Sequence, residues 1–100
     1  AEHNSSYSAA FKNIFDWISR FKGDIWYSKP MFLLATNNGE RGGKTVLEQA
    51  HNRISRKTPF DFPHFSLPNF SKTFDEHQGI TDNALKMKFQ NALVIFINQL

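Results

Sequence analysis

The chain has 100 residues, 40% of them hydrophobic and including 11 Phe and 2 Trp, which is enough for one small core and excludes a second independent domain. Its formal charge of +3 comes from scattered lysines and arginines rather than a basic stripe, which disfavours nucleic acid, and the absence of cysteine excludes disulfides, cysteine metal ligands and a thiol nucleophile. No apolar run approaches the roughly 20 residues needed to cross a bilayer and no signal peptide is read at the start, so no membrane partner is expected and the cytoplasm is the expected compartment.

Phe11, Ile14, Phe15, Ile18 and Phe21 recur at three- and four-residue steps and predict a first helix, with Ser5, Ser6 and Ser8 as candidate caps and Gly23 as its stop. Trp17 and Trp26 are read as core and edge packing. Pro30 can open a strand, and residues 31–35 form the near-continuous apolar run of a strand covered on both faces, as in parallel sheets. Gly39, Gly42 and Gly43 then remove side chains where the backbone turns, and Leu47, Ala50 and Ile54 restart a helical pattern. Arg53, Arg56 and Lys57 cluster where that helix should end, which suits a solvated terminus. Phe60 and Phe62 alternate with Asp61 between Pro59 and Pro63, predicting a short edge strand. Residues 64–79 lack a sustained period and are expected to be loop. Thr81 is the expected cap of a last helix with Leu85, Phe89, Ala92, Leu93, Phe96 and Leu100 along one stripe.

The order helix, strand, helix, strand, helix implies an α/β fold with parallel strands joined by crossovers. Two strands cannot bury both faces of residues 31–35, and the chain starts at Ala1 without an initiator Met. The expectation is a fragment that packs against a separately retained N-terminal half or another copy of the chain.

A strand running through a glycine-rich turn into a helix is ligand-binding architecture, because backbone amides can approach a bound group closely. The segment NGERGGKT is one substitution from the phosphate pattern G-x-x-x-x-G-K-[ST], in which Lys44 would hold phosphates and Thr45 magnesium. Asn38 at the first glycine position, Glu40 inside the loop, and the lack of an apolar strand ending in Asp weigh against it. Arg41 is the cation best suited to a phosphate or carboxylate, and it could equally pair with Glu40, Glu48 or a partner subunit. His3, His51, His64 and His77 have no paired spacing and are read as ordinary surface residues, so no metal site is expected. Asp75, Glu76 and Asp82 are read as solvating a loop or favouring the start of the last helix. Ser66 lacks a nucleophile-elbow context, and no catalytic residue is assigned.

Three stretches, in order, carry a resemblance. Residues 2–20 contribute Glu2, Asn4, Ser6, Lys12, Asn13, Ile14, Asp16, Trp17, Ser19 and Arg20; residues 29–49 contribute Lys29, Pro30, Thr36, Arg41, Gly42, Gly43, Leu47, Glu48 and Gln49; and FSLPNFSKTFDEHQGITD follows. Together they resemble the NAD(P)H-dependent FMN reductases of the flavodoxin-like superfamily. The resemblance implies that residues 1–100 are the C-terminal half of one flavodoxin-like, three-layer parallel-sheet domain, with the first three strands and the phosphate-gripping turn lying outside this sequence. It implies FMN as cofactor and NAD(P)H as co-substrate, with hydride passing through the flavin to a small-molecule electron acceptor such as a quinone, azo dye, metal ion or free flavin. Residues Ala1, Glu2, His3, Asn4 and Ser5 would then form a flavin-ring loop, with Thr36, Asn37, Asn38 and Gly39 as the opposite wall and Arg41, Gly42 and Gly43 shaping the turn. Ala1, His3 and Ser5 stand where the family commonly has Pro, Tyr and Gly, and at Ser5 a positive φ would be less comfortable. The family further implies a homo-oligomer, with the exposed sides of the first and last helices as partner surfaces. A non-enzymatic assembly fragment without cofactor is the alternative, since half a flavin site cannot confer the affinity of a whole one.

Overall fold

Two parallel strands, β3 (Leu33–Thr36) and β4 (His64–Leu67), carry the fold of the computed structural model, which describes residues 2–23, 25–56, 58 and 62–100. They pair in register from Leu33 opposite His64 to Thr36 opposite Leu67. Side chains alternate across a strand. Leu33 therefore joins the core of Phe15, Ile25, Ile54 and Phe62, whereas Leu34 lines a cavity with Phe65, Phe89 and Leu93 on the other side.

α2 (Lys44–Ser55) makes the crossover between the strands and buries Leu47 and Ile54. α4 (Asn83–Asn98) covers the opposite face through Phe89, which lies 5.9 Å from the Phe32 ring and meets Phe65 edge-on at 5.5 Å. The expected stripe of Leu85, Phe89, Ala92, Leu93 and Phe96 is half-buried, while Leu100 follows the helix and is exposed. Asp82, not Thr81, caps this helix, its carboxylate accepting from the Leu85 N–H at 2.9 Å, while the Thr81 N–H closes onto the Thr73 carbonyl.

α1 (Ala9–Ile18) is capped by Ser8, whose hydroxyl accepts from the Phe11 N–H. Phe15 is its buried anchor, and Arg53 from α2 reaches over that ring at 5.3 Å and onto Asp16 at 3.6 Å. Asp16 is held below its ordinary pKa, first by its hydrogen bond from Lys12 at 2.7 Å and then by the charges of Lys12, Arg53 and Arg20. Arg53 thus braces two helices rather than solvating an end; Arg56 is exposed, and Lys57 lies outside the described residues. The expected inward aromatic face is only partly realised: Phe11, Ile14 and Phe21 are exposed, and Trp17 is 74% exposed, because a two-stranded sheet offers α1 too little surface to cover. Trp26 does pack on the core. Gly23 lies beyond the helix, whose last turn closes at Ser19.

Two further sequence expectations are overturned. The second strand is β4; Phe62 is a core residue preceding it, and Phe60 and Asp61 lie outside the described residues. Residues 64–79 are not a loop: after β4 come α3 (Phe70–Thr73) and a hairpin of β5 (Phe74–Asp75) and β6 (Gly79–Ile80). Side-chain-to-backbone bonds hold these pieces, notably Asp75 accepting from the N–H groups of His77 and Gln78, so no hydrophobic period marks them.

The chain begins with a hairpin of β1 (Glu2–His3) and β2 (Ser6–Tyr7), whose two turn residues, Asn4 and Ser5, have φ of 50° and 63°. Positive φ at both positions is the sign pattern of a type I′ turn. Ser5→Gly relieves the left-handed strain and is expected to stabilise the protein by about 1 kcal/mol, read as a rise in denaturation midpoint. Gly42 has φ of +60°, and a Cβ there would sit 2.6 Å from the Leu67 carbonyl carbon and the Pro68 nitrogen. Gly42→Ala is therefore expected to cost roughly 2 kcal/mol or more in chemical denaturation, whereas Gly23→Ala, where a Cβ meets nothing within 4 Å, should cost clearly less.

Candidate functional site

The loop of residues 37–43 lies at the carboxyl end of β3, where open α/β sheets gather ligands. Its carbonyls are tied inward. Asn37 O accepts from the Phe70 N–H at 3.0 Å, Gly39 O from the Asn69 and Gly42 N–H groups, and Arg41 O and Gly42 O both from the Ser66 hydroxyl at 3.0 and 2.9 Å. Side chains add to the lacing: Asn37 Oδ1 accepts from the Gly39 N–H, and Asn38 Oδ1 from the Ser71 N–H, each at 2.9 Å.

The opening hairpin reaches the same place, held there by the Ser6 hydroxyl donating to Gln49 of α2 at 2.7 Å. As a result Ser5 shares a cleft of about 210 Å³ with Asn37, Gly39, Arg41, Lys44 and Thr45. α2 begins at this cleft with Gly43 as its N-cap and no side-chain cap, so its first turn presents N–H groups and the positive end of the helix dipole. Arg41 is exposed and makes no ion pair with Glu40 or Glu48 among the described residues; Lys44 is the residue that meets Glu48, at 4.0 Å. The cleft can accept the polar or anionic edge of a ligand. Its volume falls below the roughly 300–1,000 Å³ of a complete small-molecule pocket.

Of the twelve sequence candidates, Ser5, Asn37, Gly39, Arg41 and Gly43 line this cleft together. Asn4 shares the turn with Ser5, and Glu2 and His3 form β1 beside it. Ala1 lies outside the described residues. Thr36 faces the other way: its hydroxyl donates to Leu67 O at 2.7 Å, and the residue borders the apolar cavity of about 540 Å³ with Leu34, Phe65 and Phe89. Gly42 is buried beneath the loop against Leu67 and Pro68, where it shapes the wall rather than lining it. Lys44 and Thr45 line the cleft and were legible only as part of the phosphate-loop pattern. For that pattern, two amides needed to cradle phosphate are already bonded, Gly42 N to Gly39 O and Lys44 N to Arg41 O. Ser66 was the least visible contributor, since a serine in a short strand carries no signal of the two carbonyls it binds.

Among the described residues there is no group of three or more His, Asp or Glu side chains placed to hold a metal, and no helix is long and apolar enough to cross a membrane.

The chain is similar to known proteins in the region that builds this cleft. A family model described as NADPH-dependent FMN reductase matches residues 1–60. An NADPH:quinone oxidoreductase of Arabidopsis thaliana is 29% identical over 96 residues, covering 93% of this chain and 48% of that protein. The chain thus spans about half the length of this curated relative, and no solved structure matches it significantly. With both walls of the cleft inside the matched region, the chain belongs to the NADPH-dependent FMN reductase family.

Proposed function

We propose that this chain is the C-terminal half of a flavodoxin-like domain that binds FMN and, with NAD(P)H as reductant, passes electrons to a quinone or a similar small acceptor. One observation carries the reading: Ser5 and the residues Asn37, Gly39 and Arg41, more than 30 positions apart in sequence, border one cleft. FMN supplies the hydride chemistry when bound, so the protein's work is to place the ring, hydrogen-bond its polar edge and exclude water. The turn at Asn4 and Ser5 and the backbone of Gly39 would hold the ring by close approach. Asn37 and Arg41 would meet its polar edge, with the positive end of α2 beside them. The Arabidopsis relative is an NADPH:quinone oxidoreductase and the family is NADPH-dependent, which supports a quinone as acceptor and NADPH as reductant.

The rest of the domain would complete the site. Among the described residues β3 pairs only with β4, and Leu34 is 59% exposed, although parallel sheets are stable when both faces are covered. Ile14 and Trp17 on α1 and Met87, Val94, Ile95 and Ile97 on α4 are exposed apolar surface that the other half of the domain or a second copy would cover in a homo-oligomer. The proposed compartment is the cytoplasm. An assembly fragment without cofactor remains the reading to test against.

The assembly containing this chain is expected to show flavin absorbance that bleaches on anaerobic addition of NADPH. A colourless assembly that gains nothing on added FMN would support the assembly-fragment reading instead. Arg41→Ala is expected to weaken FMN retention about tenfold, equivalent to about 1.4 kcal/mol, in a fluorescence titration. These residues alone are expected not to behave as a monodisperse, cooperatively melting monomer in sedimentation and calorimetry.

A further inference from the structure

His51 and His64, which the sequence presents as unrelated surface residues, are packed together. Their ring centroids lie 4.3 Å apart with the planes tilted by 45°. His51 also rests on the Phe62 ring at 4.6 Å, and its Nε2 lies 3.0 Å from the Phe62 carbonyl oxygen. A carbonyl can only accept, so Nε2 carries the proton, and in the neutral ring Nδ1 carries none. Phe62 is 3% exposed and belongs to the core with Phe15, Ile25 and Ile54. His51 therefore ties α2 to the residue from which the chain enters β4, and the His64 ring closes over that tie.

We propose that the His51–His64 pair is an acid-released latch between α2 and β4, closed while the His64 ring is neutral and opened as that ring takes up a proton. A proton on His64 places positive charge on a ring in contact with His51, whose electrostatic effect opposes that charge. Around His64, α2 contributes Lys44 and Glu48, α4 contributes Lys88, and the loop before α2 contributes Glu40 and Arg41, while β3 contributes no charged residue. Burial lowers the His64 pKa from its ordinary 6.5, the neighbouring His51 lowers it further, and Glu48 opposes both without reversing them. Because the folded value lies below the unfolded one, the unfolded chain binds more protons between them. The stability contributed by the latch is complete above about pH 6.5 and is lost as pH falls below that toward and through the lowered folded value.

The latch is independent of the flavin reading, and its test uses the complete protein without added cofactor. Imidazole resonances followed by NMR between pH 8 and 5, limits chosen to bracket the ordinary imidazole pKa of about 6.5, should show His64 titrating below that value and His51 protonated on Nε2 at neutral pH. Over the same range, the folded-to-unfolded ratio of the wild type should fall more steeply than that of His64→Phe, by up to about tenfold per pH unit, the limit for one proton. The phenylalanine keeps a ring against His51 and removes the titration. Equal slopes in the two proteins, or a His64 that titrates at or above 6.5, would overturn the latch. If His64→Phe does not fold, the wild-type NMR titration decides alone.

Discussion

The close approach of Gly42 to the end of β4 governs what the chain can present to a ligand. With no Cβ, Gly42 lies against the Leu67 carbonyl and the Pro68 nitrogen, at a φ of +60° that an L side chain rarely adopts. The same few residues of β4 take up the loop's polar groups: Ser66 donates to two loop carbonyls, and Leu67 O accepts from Thr36. The glycine-rich turn is thus clamped by the strand that follows it 20-odd residues later. Any side chain at position 42 would push the loop off this strand and move Asn37, Gly39 and Arg41 with it.

A clamped loop is suited to a ligand that meets it without rearranging it. Ordering a loop on binding costs free energy that a loop already ordered by folding does not lose again. Here the carbonyls of Asn37, Gly39, Arg41 and Gly42 are bonded within the protein, so the backbone cannot easily re-form around a ligand. Specificity then has to come from the shape of the turn and from the few groups left facing the cleft. Such a site is preorganised and narrow in what it accepts at the edge.

How much of this was legible in the sequence depended on whether the relevant physics is periodic. α2 and α4 were readable because Leu47 and Ile54, and Leu85, Phe89 and Phe96, repeat at the helical period and face the sheet. β3 was readable as an apolar run after Pro30, with its start shifted from Met31 to Leu33. β4 was not, because two of its four residues are polar: His64, exposed and packed on His51 of α2, and Ser66, bonded to the loop, dilute the apolar signal. The cleft was half legible. Ser5, Asn37, Gly39 and Arg41 border one cleft, a grouping that only the family resemblance had implied, but strict alternation along β3 sends Thr36 to the opposite face. The histidine pair was invisible, since thirteen positions and a change of element separate residues whose rings touch.

The core built by these residues is small. Seven hydrophobic residues are buried among those described, and none of them is below 2% exposure. A 60-residue domain already buries only about 60% of the surface its unfolded chain exposes and is marginal. A parallel pair of strands is weaker still when one edge is open, because its neighbours must supply both pairing and cover. The apolar cavity beside Leu34 and Phe65 and the exposed face of α1 lie on opposite sides of β3, so apolar surface is left uncovered on both sides of the strand. On the proposed reading as half of a domain, one addition beside β3 would extend the sheet, cover both faces and enlarge the cleft into a pocket.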